Sequence, residues 1–208
     1  MVGGGPVGER KVRGLLACDA AVKIAAADLT PWLEHQTELG NVTWLGPAYD
    51  PSHLQKVYLV FAATSDRDLN RTIAADADAR GIWCNMVAEP ELGSFHVPAV
   101  FRQGPLSIAV STSGFSPAFA RRIRDRIAQE FGREWAMALK LLGRLRVVIQ
   151  AKGLSTLDNQ NLFRQIASLP LSDWIQSREE ELMVQNLLEI CKPWLNEEEL
   201  RRMLRSLW

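Results

Sequence analysis

Gly3, Gly5 and Gly8 stand at G-x-G-x-x-G spacing. Glycines in that pattern let a backbone turn close tightly and approach a pyrophosphate, with a helix N-terminus behind it. A carboxylate about 20 residues further on completes such a site by accepting hydrogen bonds from a ribose. Asp28 lies 20 residues beyond Gly8. The pattern predicts a dinucleotide-binding turn. Gly3 makes the turn, Gly5 admits the pyrophosphate, Gly8 lets helix and strand pack, and the helix start at Pro6 and Val7 offers free N–H groups. Asp28 predicts NAD rather than a 2′-phosphorylated dinucleotide, and Ala27 and Thr64 join the expected cofactor contacts.

A second group of chemistry-bearing residues is the polar run Ser111, Thr112, Ser113, Gly114, with Ser116 just after it. Ser116-Pro117 reads as the cap and first residue of a helix carrying Arg121, Arg122, Arg124 and Arg126. Hydroxyls at a helix start suit carboxylate binding, whereas the arginines read as a solvated face. His35, His53 and His96 are too dispersed for a metal site, and no permanent metal ligand is expected. Cys18, Cys84 and Cys191 form no C-x-x-C pair and read as free thiols in a reducing, cytoplasmic setting.

The elements that position these groups follow from periodicity. A helix is expected over 7–18, then short strands at Val22–Ala26 and Val42–Leu45, with a Thr30-Pro31 helix start between them. Val57–Ala63 and Ile82–Val87 are continuous apolar runs, the mark of strands buried on both faces. Leu69, Ile73 and Ala77, spaced by four, place a helix between them. Alternating strands and helices imply a Rossmann-like α/β domain with a parallel sheet. Only Met1 and Val2 precede the glycine turn, so the strand that normally feeds it is expected to be missing, as in a truncated or late-starting sequence. Leu106–Val110 is a further strand, and the chain beyond Gly132 reads as helical, with breaks near Gly153, Pro170 and Pro193. The expected divisions are a dinucleotide-binding domain at 1–98, a short mixed segment at 99–132 and an all-helical domain at 133–208.

Composition sets bounds. Lys+Arg and Asp+Glu both total 24, so nothing global points to nucleic acid. No apolar run approaches the length of a membrane span, and no leader is visible.

The stretches GGGPVGERK, VFAATSDRDLN, GIWCNMVAEPELGSFHVPAV and GPLSIAVSTSGFSPAFARRIR resemble, in order and spacing, the siroheme synthase N-terminal family. The resemblance covers roughly residues 2–130. It implies NAD-dependent oxidation of precorrin-2 to sirohydrochlorin, a homodimer formed through the segment after residue 98, and a tetrapyrrole carboxylate cradle at Ser111, Thr112, Ser113 and Ser116. It also implies sirohydrochlorin ferrochelatase activity, with Fe²⁺ as substrate. At the position where the family carries a catalytic aspartate this chain has Ala88, followed by Glu89, which becomes the candidate acid/base. That departure weakens the expectation of chelation more than that of dehydrogenation. The alternatives are a non-catalytic NAD-binding regulatory module or a degenerate paralogue, with Trp174, Trp194 and Trp208 in the tail as partner contacts or, more ordinarily, as core.

Overall fold

The computed structural model describes residues 1–192 and 194–207. Pro193 and Trp208, read above as a helix break and a tail tryptophan, lie outside the described residues. Two compact units divide the chain, Met1–Val97 and Pro98–Trp208.

In the first unit the strands are β1 (Val2–Gly4), β2 (Val22–Leu29), β3 (Val42–Gly46), β4 (Leu59–Ala62) and β5 (Trp83–Met86). They form one parallel sheet in the order β3-β2-β1-β4-β5. Helices α1 (Pro6–Leu16), α2 (Pro31–Glu38) and α3 (Arg67–Asp78) connect them. This is the Rossmann-like arrangement, with the order of the strands reversing at β1.

Alternating side chains divide the core between the two faces of the sheet. Ile24, Ala26 and Val42 pack with Val12 of α1 and Leu33 of α2. Val2, Val60, Ala62, Cys84 and Met86 pack with Ile73 and Ala77 of α3.

The expectation of a missing first strand is corrected. β1 occupies the centre of the sheet, with Val2 in register with Ala25 on one side and Ala62 on the other. Backbone bonds from Ala25 N–H to Met1 O (3.0 Å) and from Ala63 N–H to Val2 O (2.9 Å) hold it. Three residues are too few to show a strand period, which is why the pattern hid it.

β2 also runs three residues past the expected Ala26, because Gly4 pairs with Leu29 and accepts the Thr30 N–H (3.1 Å). Ala27 and Asp28 therefore lie in the strand and not in a loop beyond it. β4 and β5 are shorter than expected, and Tyr58, Leu59 and Trp83 at their starts are exposed where full burial was expected. These residues lie at the strand ends opposite the glycine turn, where the Trp83 N–H still bonds the Tyr58 carbonyl oxygen (3.3 Å).

In the second unit, β6 (Ala99–Gln103) and β7 (Leu106–Val110) make an antiparallel hairpin around Gly104-Pro105. The sequence reading missed β6, whose apolar run is broken by Arg102. Helix α4 (Pro117–Glu130) follows, then α5 (Arg133–Gln150), α6 (Thr156–Ala167), α7 (Leu171–Ser177), α8 (Glu180–Cys191) and α9 (Glu197–Arg205). The last five pack around Leu141, Leu145, Ile149, Ile166, Met183, Leu187, Leu200 and Leu204, with Trp174 and Trp194 against that core. Both tryptophans thus have the ordinary structural duty. No helix among the described residues is long and apolar enough to cross a membrane.

Candidate functional site

The glycine turn is built by close approach. Gly3 has φ +106°, a conformation open to glycine alone in practice, and a Cβ there would fall 2.5 Å from the Ala63 carbonyl oxygen. A Cβ on Gly8 would collide with the carbonyl oxygen of Gly3, so the missing side chain is what seats α1 on β1. Gly4, which the spacing argument passed over, is equally constrained: a Cβ there would collide with the Asp28 carbonyl oxygen. Gly5 is different. It is exposed, its φ of −76° suits any residue, and nothing lies within 4 Å of where its Cβ would be.

That open space faces the start of α1, whose cap residue Gly5 makes no side-chain cap bond and whose N1 is Pro6. The first-turn N–H groups of Val7 and Gly8 are therefore available to an anion. Glu9, in the same turn, would oppose one. Hydrogen bonds from Thr30 and Arg13 hold its carboxyl below the usual range, and Arg13 pairs with it at 2.7 Å. Arg13 in turn stacks 3.8 Å from the centre of the Trp32 ring. The residues present fit a dinucleotide: an uncapped helix start, a gap that a Cβ would fill, and the exposed Asp28 carboxylate at the end of the neighbouring strand.

Across the turn, Thr64 follows β4. Asn70 of α3, 1% exposed, accepts from the Thr64 N–H (3.2 Å) and from its hydroxyl (2.8 Å), and donates to the Thr64 carbonyl (3.0 Å). This clamp fixes the backbone beside Gly3. Sequence reasoning missed Asn70, although an asparagine next to Leu69 on the buried side of an amphipathic helix was the available signal.

Glu89 is not a free carboxylate. Arg71 of α3 grips both its oxygens, at 2.6 Å and 3.1 Å, and the hydrogen bonds from Arg71 hold its carboxyl below the ordinary carboxylate range. A carboxylate so held is a poor proton acceptor. Ala88 beside it is exposed, and so is His96. Among the described residues no group of three or more His, Cys, Asp or Glu is placed to hold a metal ion.

The polar loop of the second unit has its own order. Ser111 Oγ accepts from Ser113 N–H (3.1 Å), Thr112 Oγ1 from Ser116 N–H (3.1 Å), and Ser116 Oγ from Phe119 N–H (3.2 Å). Each of these hydroxyls is oriented through its oxygen by a backbone donor while its own proton stays available. Ser113 holds φ +50° and Gly114 φ +84°, so the loop turns sharply at the tip. Three oriented donors at a helix start can receive a carboxylate. Arg121 and Arg122, read as a solvated face, are indeed exposed.

Together these features define an NAD(P)-binding protein of Rossmann-like fold that carries a second, largely helical unit. The NAD(P)-binding family model NAD_binding_7 matches residues 1–99, and the family model for the sirohaem biosynthesis protein central region matches residues 103–130. Siroheme synthase 1 of Serratia proteamaculans is 37% identical over 146 residues, 70% of this chain and 31% of that protein. The siroheme synthase of Chromobacterium violaceum is 33% identical over 180 residues, 86% of this chain and 38% of that one. The chain spans about a third of the length of the curated relatives it matches. A solved structure described as SirC, precorrin-2 dehydrogenase, superposes with a TM-score of 0.66 at 23% identity, covering 86% of this chain and 92% of its own. The chain belongs to the siroheme synthase N-terminal family.

Proposed function

We propose that the protein oxidises precorrin-2 to sirohydrochlorin with NAD as acceptor. The observation that carries this reading is the joining, in one chain, of an NAD(P)-binding segment at 1–99 to a sirohaem-biosynthesis segment at 103–130. The glycine turn and the oriented hydroxyls of the polar loop support it, one in each unit. NAD bound there supplies the hydride acceptor. Gly3, Gly5, Gly8 and the N–H groups behind Pro6 and Val7 would hold its pyrophosphate. Asp28 and Ala27 would lie along its adenosine ribose, and Thr64 would flank it across the turn. Asp28 supports NAD over NADP, since a carboxylate repels a 2′-phosphate. Ser111, Thr112, Ser113 and Ser116 would receive substrate carboxylates. The substrate proton goes to solvent or to a group near the ring, because the Arg71-bound Glu89 is poorly suited to take it.

The same reading has Fe²⁺ as a second substrate, used feebly or not at all, and a homodimer formed through the 99–132 segment in the cytoplasm. The exposed Ala88 and the engaged Glu89 favour a second reading for chelation alone, that of a branch that has lost it. The test is anaerobic incubation of the purified chain with precorrin-2 and NAD, following reduced dinucleotide and sirohydrochlorin together. Equimolar appearance of both is expected. Tight NADH binding without turnover would instead identify a regulatory or degenerate module.

A further inference from the structure

From Leu92 to Arg124 the chain holds no Asp or Glu and four arginines, although acidic residues total 24 over its length. Within this acid-free stretch two aromatic rings stand in solvent. Phe115 is 94% exposed and Phe119 54%. Two exposed rings side by side in an acid-free stretch are a candidate binding surface. Phe115 ends the polar loop and Phe119 lies in the first turn of α4, four residues on. Arg122 lies three residues further and shares the Phe119 flank of the helix. Ala120 lies on the buried face of α4.

Arg124 and Arg126 have acidic partners, Asp125 at 2.6 Å and Glu130 at 4.0 Å. Arg122 has none among the described residues. Arg121 is also unpaired, but helical spacing turns it to the opposite flank. The oriented hydroxyls of Ser111, Thr112 and Ser116 lie at the same end of the helix.

We propose that Phe115, Phe119 and Arg122 extend the polar loop into a binding platform for a polycarboxylated tetrapyrrole, whose flat face lies on the rings while Arg122 takes a rim carboxylate. This rests on the reading of the chain as a precorrin-2 dehydrogenase. The chemistry of the patch matches both halves of such a ligand. A macrocycle offers an aromatic or partly conjugated face to stack, and its rim carries carboxylates that an acid-free, arginine-bearing surface attracts. The hydroxyls alone could receive a small carboxylate. They give no reason for two exposed rings beside them.

The experiment titrates sirohydrochlorin into the full chain, read by its absorbance, with NADH titrated in parallel and mass measured by light scattering. Phe119→Ala should weaken sirohydrochlorin binding about ten-fold, and Phe115→Ala similarly. Arg122→Gln should weaken it about five-fold and flatten its salt dependence, with Arg122→Lys restoring most of the loss. Arg126→Gln, whose side chain is already paired, should stay within about two-fold. NADH binding should not change in any of them. If the natural chain binds sirohydrochlorin and the ring and Arg122 variants bind it equally well, the platform is wrong and the dehydrogenase reading stands. If the natural chain binds NADH but no sirohydrochlorin, both fall. If the phenylalanine variants change the mass without changing affinity, the rings belong to a contact between copies, and the platform is again wrong.

Discussion

Gly8→Ala and Gly5→Ala separate the two jobs of the glycine turn. A methyl group on Gly8 meets the carbonyl oxygen of Gly3, which is backbone inside a strand paired on both sides and cannot swing away. Helix α1 must lift instead. Overpacking of this kind costs about 1–3 kcal/mol, or roughly 2–4 °C of melting temperature per kcal/mol for a chain of this size. The lift also carries the α1 N–H groups away from the phosphate position, so NADH affinity should drop at least about ten-fold, because contacts to a charged group are worth about 1.5–3 kcal/mol each. Gly5→Ala has no such clash, and its φ of −76° is ordinary for alanine. Its stability should hold, or rise by a few tenths of a kcal/mol from reduced freedom of the unfolded chain. Its NADH affinity should nevertheless fall, because the methyl group fills the space the pyrophosphate needs. Gly14→Ala, in the exposed interior of α1 with nothing near its Cβ, is the control: unchanged binding and up to about 1 kcal/mol of added stability. Urea melts and NADH fluorescence titrations on the three variants decide the matter. A Gly8→Ala protein as stable and as tight-binding as the natural one would refute the packing argument. Undiminished binding by Gly5→Ala would move the phosphate elsewhere.

Asn70→Ala removes three hydrogen bonds to Thr64 and should cost about 3 kcal/mol in urea melts, with Asn70→Asp, which keeps only the acceptor, in between. Asp28→Ala should narrow the preference for NADH over NADPH in paired titrations. An unchanged ratio would show that the carboxylate does not face the ribose. The Arg71–Glu89 pair should make stability acid-sensitive. Glu89's carboxyl sits lower folded than unfolded, so its contribution is present above the ordinary glutamate range near about 4.3 and is lost as pH falls through the depressed folded value. Glu89→Gln should remove that component from melts taken as a function of pH, while an identical profile would mean the pair is broken in solution. Arg13→Ala should release the Glu9 charge beside the phosphate position and weaken NADH binding a few-fold, more so at low salt.

What could be read in the sequence was whatever announces itself locally. The glycine spacing, the Ser116 cap and the four-residue stripe of Leu69, Ile73 and Ala77 each reflect contacts within one turn or one helix. β1 was missed because its evidence is non-local: Val2 is a strand residue only because Ala25 and Ala62 flank it. Gly4 and Asn70 were missed for the same reason, since each earns its constraint from a carbonyl or backbone amide on a different element. Glu89 shows the limit from the other side. Its place next to Ala88 suggested a proton carrier, and nothing nearby in sequence warned that Arg71, 18 residues earlier, would bind both its oxygens.

That pairing separates the two activities associated with this family resemblance. Dehydrogenation asks the protein chiefly for placement, because the hydride acceptor is the dinucleotide and a released proton can reach water. Metal insertion asks for more, since pyrrole protons must leave a ring that is held in place, and a carboxylate close to it serves as acceptor and as a temporary partner for the cation. At 88 there is a methyl group, and at 89 a carboxylate whose charge is already neutralised by a guanidinium and whose depressed proton affinity makes it a weak base at neutral pH. For Glu89 to act it must leave Arg71, and the same hydrogen bonds that lower its pKa oppose that departure. The glycine turn and the hydroxyl loop place no demand on either residue. On the proposed reading, Ala88 together with an engaged Glu89 should therefore weaken the proton transfer that metal insertion requires, and leave the parts that bind and orient untouched.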